Sequence, residues 1–473
     1  MKLNKYKVGL TITVLISVLL LAVSGSAVTE DGDTWIIENQ SDFDLLVGTK
    51  LSNVDFTGDS IPDVEPGDTI ALDEATLTQD ASLIIDIQNI TLRPTNDVIS
   101  SDSVVTLVQE GPYGGAHDID TGPSSTQSVT SSILIQKEGA HVEDLNFEPL
   151  GNLSSNVDNA ILVDIEDPCA CDARGMLFEN LQIPNCAANG NFNYGIRFAG
   201  EITSYGMRNS NYSDAEFLDV RVDGVAIDGI NFSDSVGDLS GLLFNKLYVG
   251  NCGVGTSGGH GVHFNNHGTV ENVRFENSTG LDNEPAANYG IEKNQDGIRI
   301  NGDSVTKVSG LRIEDFEIKN NSDNGIYIMG NWDATPISEI SSIDMTIKDT
   351  EISKNGDPLG DGNVEGMTDG GFGIIVGEVG FANGGGPPFP GSPASSLAEI
   401  KYSPAKLDKV TLDNVDIYDN WSGGAGFFVS TVIQSSAGFE VTDSRFNETP
   451  TGDGQNDQSF GLTVASYEGI NGV

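Results

Sequence analysis

The chemistry-bearing residues of this 473-residue chain gather in one stretch. His260, His263 and His267 are three of only five histidines, and Arg299 and Tyr327 follow at similar intervals in matching contexts: Gly261-Val-His-Phe264, Gly297-Ile-Arg-Ile300 and Gly325-Ile-Tyr-Ile328. An Arg beside a His or Tyr suits proton abstraction next to a carboxylate. The cation neutralises the acid, and the His or Tyr removes the C5 proton of a uronate or protonates the leaving oxygen. His263, Arg299 and Tyr327 are therefore the candidate catalytic residues, with Arg197, His260 and Asp296 as candidate substrate-binding residues. His260-x-x-His263 has a spacing that metals also use, but no third ligand is tied to it, so no metal is assigned.

Such a set works only if something places it on one surface, and that something is a repeat. The pattern apolar-x-apolar-x-polar-apolar-x-apolar recurs as Met176-Leu-Phe-Glu-Asn-Leu-Gln-Ile183, Leu242-Leu-Phe-Asn-Lys-Leu-Tyr-Val249 and Leu311-Arg-Ile-Glu-Asp-Phe-Glu-Ile318. Further copies are Met345-Thr-Ile-Lys-Asp-Thr-Glu-Ile352, Val410-Thr-Leu-Asp-Asn-Val-Asp-Ile417 and Phe439-Glu-Val-Thr-Asp-Ser-Arg-Phe446, and looser ones begin at Val142, Ala215 and Val270. Each alternates with period two, breaks step at the polar fifth position and resumes, as two short strands joined by a bend do. The break falls at Asp144, Asn180, Asp219, Asn272, Asp315, Asp349, Asn414 and Asp443, with Lys246 the exception. Asn and Asp tolerate the left-handed conformation a bend needs.

An Asn follows most copies, at Asn185, Asn251, Asn277, Asn320, Asn355, Asn420 and Asn447. A third short strand, small-apolar-x-apolar, comes next: it begins at Ala160, Gly195, Gly224, Gly261, Gly297, Gly325, Gly373, Gly426 and Gly461. Its third residue points outward, which predicts one row of Leu162, Arg197, Ala226, His263, Arg299, Tyr327, Ile375, Phe428 and Thr463 on successive turns. Three short strands per turn cannot bury their apolar side alone, so the turns must stack around a shared core.

These copies resemble the parallel β-helix repeats of the right-handed, pectate-lyase-like β-helix superfamily, over roughly residues 60–473. The expected fold is all-β, a right-handed single-stranded parallel β-helix of about nine or more turns. Glu65-Pro-Gly-Asp-Thr-Ile70 and the following 84–93 segment look like its entry turns. Expected boundaries are 28–132 for an N-terminal cap with entry turns and 133–473 for the helix proper. Insertions near 278–296, 354–372 and 377–409 are expected to flank the row. The superfamily spans polysaccharide lyases, hydrolases, epimerases, tailspikes and surface proteins, so the resemblance implies fold far more than function. Gly259-His260-Gly261 and Asn294-Gln295-Asp296-Gly297 are similar to fragments of the polygalacturonase pattern, but in reversed order and without its other carboxylates. No Arg-x-Pro-x-x-Arg element of pectate lyases occurs. Asp-rich loops such as 164–172 leave Ca²⁺ as the one ion to consider; no cofactor is otherwise expected.

Composition sets the surroundings. Asp+Glu number 70 against 23 Lys+Arg, a formal net charge of −47, which disfavours nucleic acid as a partner and suits a protein working in high salt. Lys2, Lys5 and Lys7 precede an apolar run and the small residues Gly25, Ser26 and Ala27, so residues 1–27 read as a secretory signal, with an uncleaved anchor as the rival. No other apolar run suggests a membrane segment. The four cysteines, Cys169, Cys171, Cys186 and Cys252, suit disulfides better than zinc, and a Cys186–Cys252 bridge is not expected because the two lie about two turns apart. The functional expectation is an exported, halophilic, cell-surface or secreted β-helix that binds a polysaccharide or surface glycan and processes it in lyase or epimerase fashion. The alternative is a non-catalytic adhesive or structural β-helix.

Overall fold

The computed structural model describes residues 28–95, 104–109, 116–122, 125–149, 157–165, 172–184, 192–200, 210–253, 259–266, 268–279, 289–302, 305–330, 340–356, 371–376, 403–420, 423–432, 438–447 and 461–466. Cys169, Cys171, Asn185, Cys186, His267 and most of the three insertions lie outside them.

The repeat copies become strands that pair in parallel with the equivalent strands of the turns before and after. The long strand Lys307–Lys319 shows the arrangement. Its Arg312 registers with Arg274 on one side and Thr346 on the other, and its Ile318 with Ile291 and Ile352. The third strands stack separately: Ile298–Gly302 pairs with Val262–Phe264 and with Ile326–Gly330. The chain is thus a parallel β-helix, with the right-handed coil that parallel crossovers adopt. The middle turns add a fourth short segment beyond the expected three. Asp172–Arg174, Ser210–Ser213, Val236–Ser240 and Thr269–Glu271 pair in succession between the third strand and the next repeat copy.

Each bend residue named from the sequence has positive φ, between 47° and 56°, including Lys246. That angle breaks the period-two alternation and turns the strand around the core. Asn180 Nδ2 donates to Asp144 Oδ1 at 2.6 Å, and Asn414 Nδ2 to Asp349 Oδ1 at 2.6 Å, tying bends of neighbouring turns together. A second ladder is fully interior. Asn294 Nδ2 donates to Asn321 Oδ1 (3.3 Å), Asn321 Nδ2 to Asn355 Oδ1 (2.9 Å) and Asn355 Nδ2 to Asn420 Oδ1 (2.8 Å). The Asn residues that follow the repeat copies divide between two roles: Asn251, Asn277 and Asn320 take left-handed bends, whereas Asn355 and Asn420 are rungs, and Asn321 beside Asn320 carries the rung of its turn. Cys252 begins this ladder as a buried free thiol, its backbone N–H donating to Asn294 Oδ1 at 3.0 Å.

Stacking places like side chains one strand step apart. Phe217, Phe244 and Phe275 stack at 4.6 and 4.5 Å, and Phe198, Phe232 and Phe264 at 4.7 and 5.1 Å, matching the interstrand spacing of about 4.8 Å. Phe43, Leu46 and Leu51, on and after the short helix Gln40–Phe43, are fully buried with the N-terminal turns. Asn39 caps that helix, accepting from Ser41 N at 2.9 Å. Among the described residues no helix is long and apolar enough to cross a membrane.

Two members of the expected outer row are different. The strand after Arg197 is Ile230–Phe232, so Asn231 rather than Ala226 stands between Arg197 and His263. Gly224-Val-Ala-Ile227 carries the same small-apolar-x-apolar pattern but forms a turn, with Ala226 N and Ile227 N donating to Phe192 O and Asn193 O. Further on, Gly426 rather than Phe428 registers with Ile375. The row is also less open than expected. The hairpin His117–Gly122 and Ser125–Val129 lays Ile119 and Val129 on Leu134, Leu162 and Ala199, roofing its N-terminal end.

Candidate active site

Along the third strands the chain repeats one local unit: a side chain, then glycine, then apolar-x-apolar. The glycines are obligatory. A Cβ on Gly229, Gly261, Gly297 or Gly325 would sit 2.5 to 2.8 Å from the carbonyl oxygen of the next turn's glycine. This close approach builds two adjacent columns. One consists of the residues before glycine: Tyr194, Asp228, His260, Asp296 and Asn324. The other consists of the outward strand residues Arg197, Asn231, His263, Arg299 and Tyr327.

The expected catalytic residues His263, Arg299 and Tyr327 occupy consecutive rungs, His263 in register with Arg299 and Arg299 with Tyr327. The Arg299 guanidinium lies 5.2 Å from the Tyr327 ring centroid. His260 and Asp296 join them from the neighbouring column, whereas Arg197 stands two rungs from His263, about 10 Å away. Arg197 is itself nearly buried, with its guanidinium over Tyr194 at 4.6 Å.

His263 Nδ1 lies 3.0 Å from Asp228 Oδ2, which also accepts from Asn231 Nδ2 at 2.7 Å, while Asp228 Oδ1 accepts the His260 backbone N–H at 2.8 Å. Burial alone would raise the Asp228 carboxyl. The charges and hydrogen bonds of His263 and His260 outweigh it and hold Asp228 well below the usual carboxylate range. Burial pushes the His263 imidazole down, against the opposing pull of Asp228, with His260 and Arg299 adding to the downward push. With Asp228 ionised, the proton of this bond sits on His263 Nδ1, which donates it to Oδ2. His263 Nε2 is buried and has no hydrogen-bond partner.

Asp296 is the second anchor. Its Oδ2 lies 3.3 Å from His260 Nδ1 and accepts from Arg299 Nη1 at 3.2 Å, and its Oδ1 accepts from Asn324 N at 3.1 Å and Asn324 Nδ2 at 2.9 Å. Burial opposes ionisation of Asp296, yet His260, Arg299 and Asn324 keep its pKa low. At 1% side-chain exposure it orients Arg299 and His260 and does not itself face solvent. Arg299 retains a buried Nε without a partner. Beyond Asp296 lies Asp323, hydrogen-bonded by Gln295 Nε2 at 2.7 Å and raised by burial and by the Asp296 charge.

Asp228, Asn231, Asn324 and Asp323 did not emerge from the sequence. For Asp228 and Asn324 the signal was the position immediately before a glycine, which the strand pattern leaves out of register with the outward row; Asn231 lies in that row itself and Asp323 precedes Asn324. One donor atom from each of Asp228, His260 and His263 lies within 4.8 Å of the others.

No family model matches the sequence, and no curated protein matches it. Solved structures do resemble the fold. They include the catalytic domain of a GH87 alpha-1,3-glucanase in complex with tetrasaccharides, at 12% identity and TM-score 0.35, covering 84% of this chain and 64% of that one. The Dettilon tailspike protein is similar at 13% identity and TM-score 0.32, covering 81% and 62%. An alginate lyase from Paenibacillus sp. str. FPU-7 is similar at 12% identity and TM-score 0.31, covering 85% and 98%. The chain spans less than two thirds of the length of the first two. The class that fold and site define is a parallel β-helix carrying an Asp–His, Arg, Tyr face.

Proposed function

We propose that this face binds an acidic polysaccharide and abstracts the C5 proton of a uronate, as lyases and epimerases do. The observation that carries the reading is the His263 imidazole, tied at Nδ1 to ionised Asp228 and unpartnered at Nε2, one rung from Arg299 and two from Tyr327. In the proposed reaction Arg299 faces the uronate carboxylate and stabilises the charge that develops when His263 Nε2 takes the C5 proton. For elimination, the C4–O bond then breaks as the C4–C5 double bond forms, and Tyr327 supplies a proton to the leaving oxygen. For epimerisation, the proton returns to C5 from the opposite face. Because Nε2 is buried, the substrate reaches it only after a side-chain rotation in this face. Arg197 is a more distant contact for the chain of sugars, and His260 and Asp296 position the others.

The proposed setting is outside the cell in high salt, as a secreted or surface protein, a reading supported by the pattern of residues 1–27 and the net charge of −47. The test is a panel of polyuronates in molar salt, with a neutral glucan as control, read by the ultraviolet absorbance of unsaturated product and by binding calorimetry. The expected result is turnover of at least one polyuronate, with His263→Ala and Tyr327→Phe lowering kcat far more than they raise KM, and Arg299→Ala impairing both. Folded protein that neither binds nor turns over any of them would favour the adhesive or structural rod instead.

A further inference from the structure

Asp228, His260 and His263 come from two successive turns and meet as two imidazoles and a carboxylate. Asp228 Oδ2 and His263 Nδ1 are 3.0 Å apart, close to the separation of about 3.0–3.4 Å that two donors take when each is bonded to one ion at about 2.1 Å. The third donor is within 4.8 Å, so a modest side-chain rotation completes the set. The His260 and His263 ring centroids are 4.6 Å apart and the rings are inclined at 72°. We propose that Asp228 Oδ2, His263 Nδ1 and His260 Nε2 hold one divalent transition-metal ion of the zinc, nickel or copper class.

The surroundings match what metal-binding histidines use. His260 Nδ1 accepts the Asp296 backbone N–H at 3.4 Å and stands 3.3 Å from Asp296 Oδ2, so that a proton on Nδ1 of the ligating imidazole would face a carboxylate, and Asp296 is itself held by Asn324 and Arg299. Asp228 is held by Asn231 and by the His260 backbone N–H, so its oxygen needs little reorganisation. Two buried carboxylates favour a dication at this point. Two nitrogen donors select transition metals over Ca²⁺ or Mg²⁺, whose sites are built from oxygen.

The ion takes the place of the proton between Asp228 and His263, and that proton moves to His263 Nε2. An imidazole protonated at Nε2 has no lone pair for a substrate proton. The metal site therefore acts as an off-switch on the catalytic face, and this regulatory consequence rests on the function proposed above, whereas the site itself does not.

Full-length protein stripped with EDTA is titrated with Zn²⁺ by calorimetry. One ion per chain is expected, with at least tenfold weaker binding for each of His260→Ala and His263→Ala, no change for the outlying His141→Ala, and no competition from excess Ca²⁺. The absence of saturable binding, or equal affinity in wild type and both variants, would overturn the site. If a variant fails to fold, anomalous scattering from zinc-soaked wild-type crystals decides: a peak among these three side chains supports the site, and a peak elsewhere, such as the Asp55, Asp59 and Asp63 loop, refutes it. Ion binding by protein that turns over no uronate when stripped with EDTA would count against the catalytic reading alone. An ion bound here that leaves measured turnover unchanged would overturn the off-switch.

Discussion

Asn355→Ala removes one rung from the middle of the buried ladder, and the structure sets its cost. Asn355 is fully buried, its Oδ1 accepts from Asn321 N at 3.2 Å and Asn321 Nδ2 at 2.9 Å, and its Nδ2 donates to Asn420 Oδ1 at 2.8 Å. Alanine leaves two donors of Asn321 without a partner in a place water does not reach. Asn420 Oδ1 keeps the Asn355 backbone N–H. At about 1–3 kcal/mol for each of the two orphaned groups, the loss is about 2–6 kcal/mol, a large fraction of the stability of an ordinary domain. Asn414→Ala is the matched comparison. It deletes one exposed bond to Asp349, which water replaces, and leaves alanine at φ +53°, for a cost of about 1–2 kcal/mol. Urea unfolding of both variants in molar salt should show a larger midpoint shift for Asn355→Ala at unchanged m-value. Equal shifts, or a larger one for Asn414→Ala, would refute the assignment of the interior ladder as the main polar fastening between turns.

Lys246 holds φ +55° where the equivalent bends carry Asn or Asp, so Lys246→Asn should raise the unfolding midpoint by the equivalent of about 0.5–1 kcal/mol; an unchanged or lower midpoint would count against bend strain at that site. The Asn414 hydrogen bond, then Lys348, holds the Asp349 carboxyl below its ordinary range, so this contribution is present above the unfolded pKa near 4 and is lost as pH falls through the folded one. NMR titration should show the Asp349 pKa moving up in Asn414→Ala, and an unmoved titration would contradict the assignment. With a net charge of −47, thermal stability should fall as salt drops from about 1 M to 0.1 M and the Debye length grows from about 3 to 10 Å; a flat midpoint would remove the basis for a halophilic reading.

The repeat was legible because its signal is local. A polar residue that interrupts period-two alternation marks a left-handed bend, and every such position from Asp144 to Asp443 has that conformation. The juxtaposition of His263, Arg299 and Tyr327 followed from counting inside equivalent strands. What stayed hidden depends on contacts between turns. Two small-apolar-x-apolar patterns begin five residues apart at Gly224 and Gly229, and only the approach of Gly229 to the Gly261 carbonyl selects the second. Asp228 was missed for the same reason, since its partner His263 lies 35 residues away and on another turn. The roof over Leu134 and Leu162 arises from a hairpin outside the repeat, which no periodicity announces.

The most direct test of the proposed chemistry is exchange at carbon itself. Polyuronates incubated with the EDTA-treated protein in heavy water and high salt should take up deuterium at C5, seen by NMR, whether the outcome is epimerisation or follows reversible abstraction before elimination. His263→Ala, with its fold confirmed by circular dichroism, should abolish the exchange while leaving polymer binding largely intact. Exchange that persists in His263→Ala, or elimination products formed by a variant lacking this imidazole, would contradict the account.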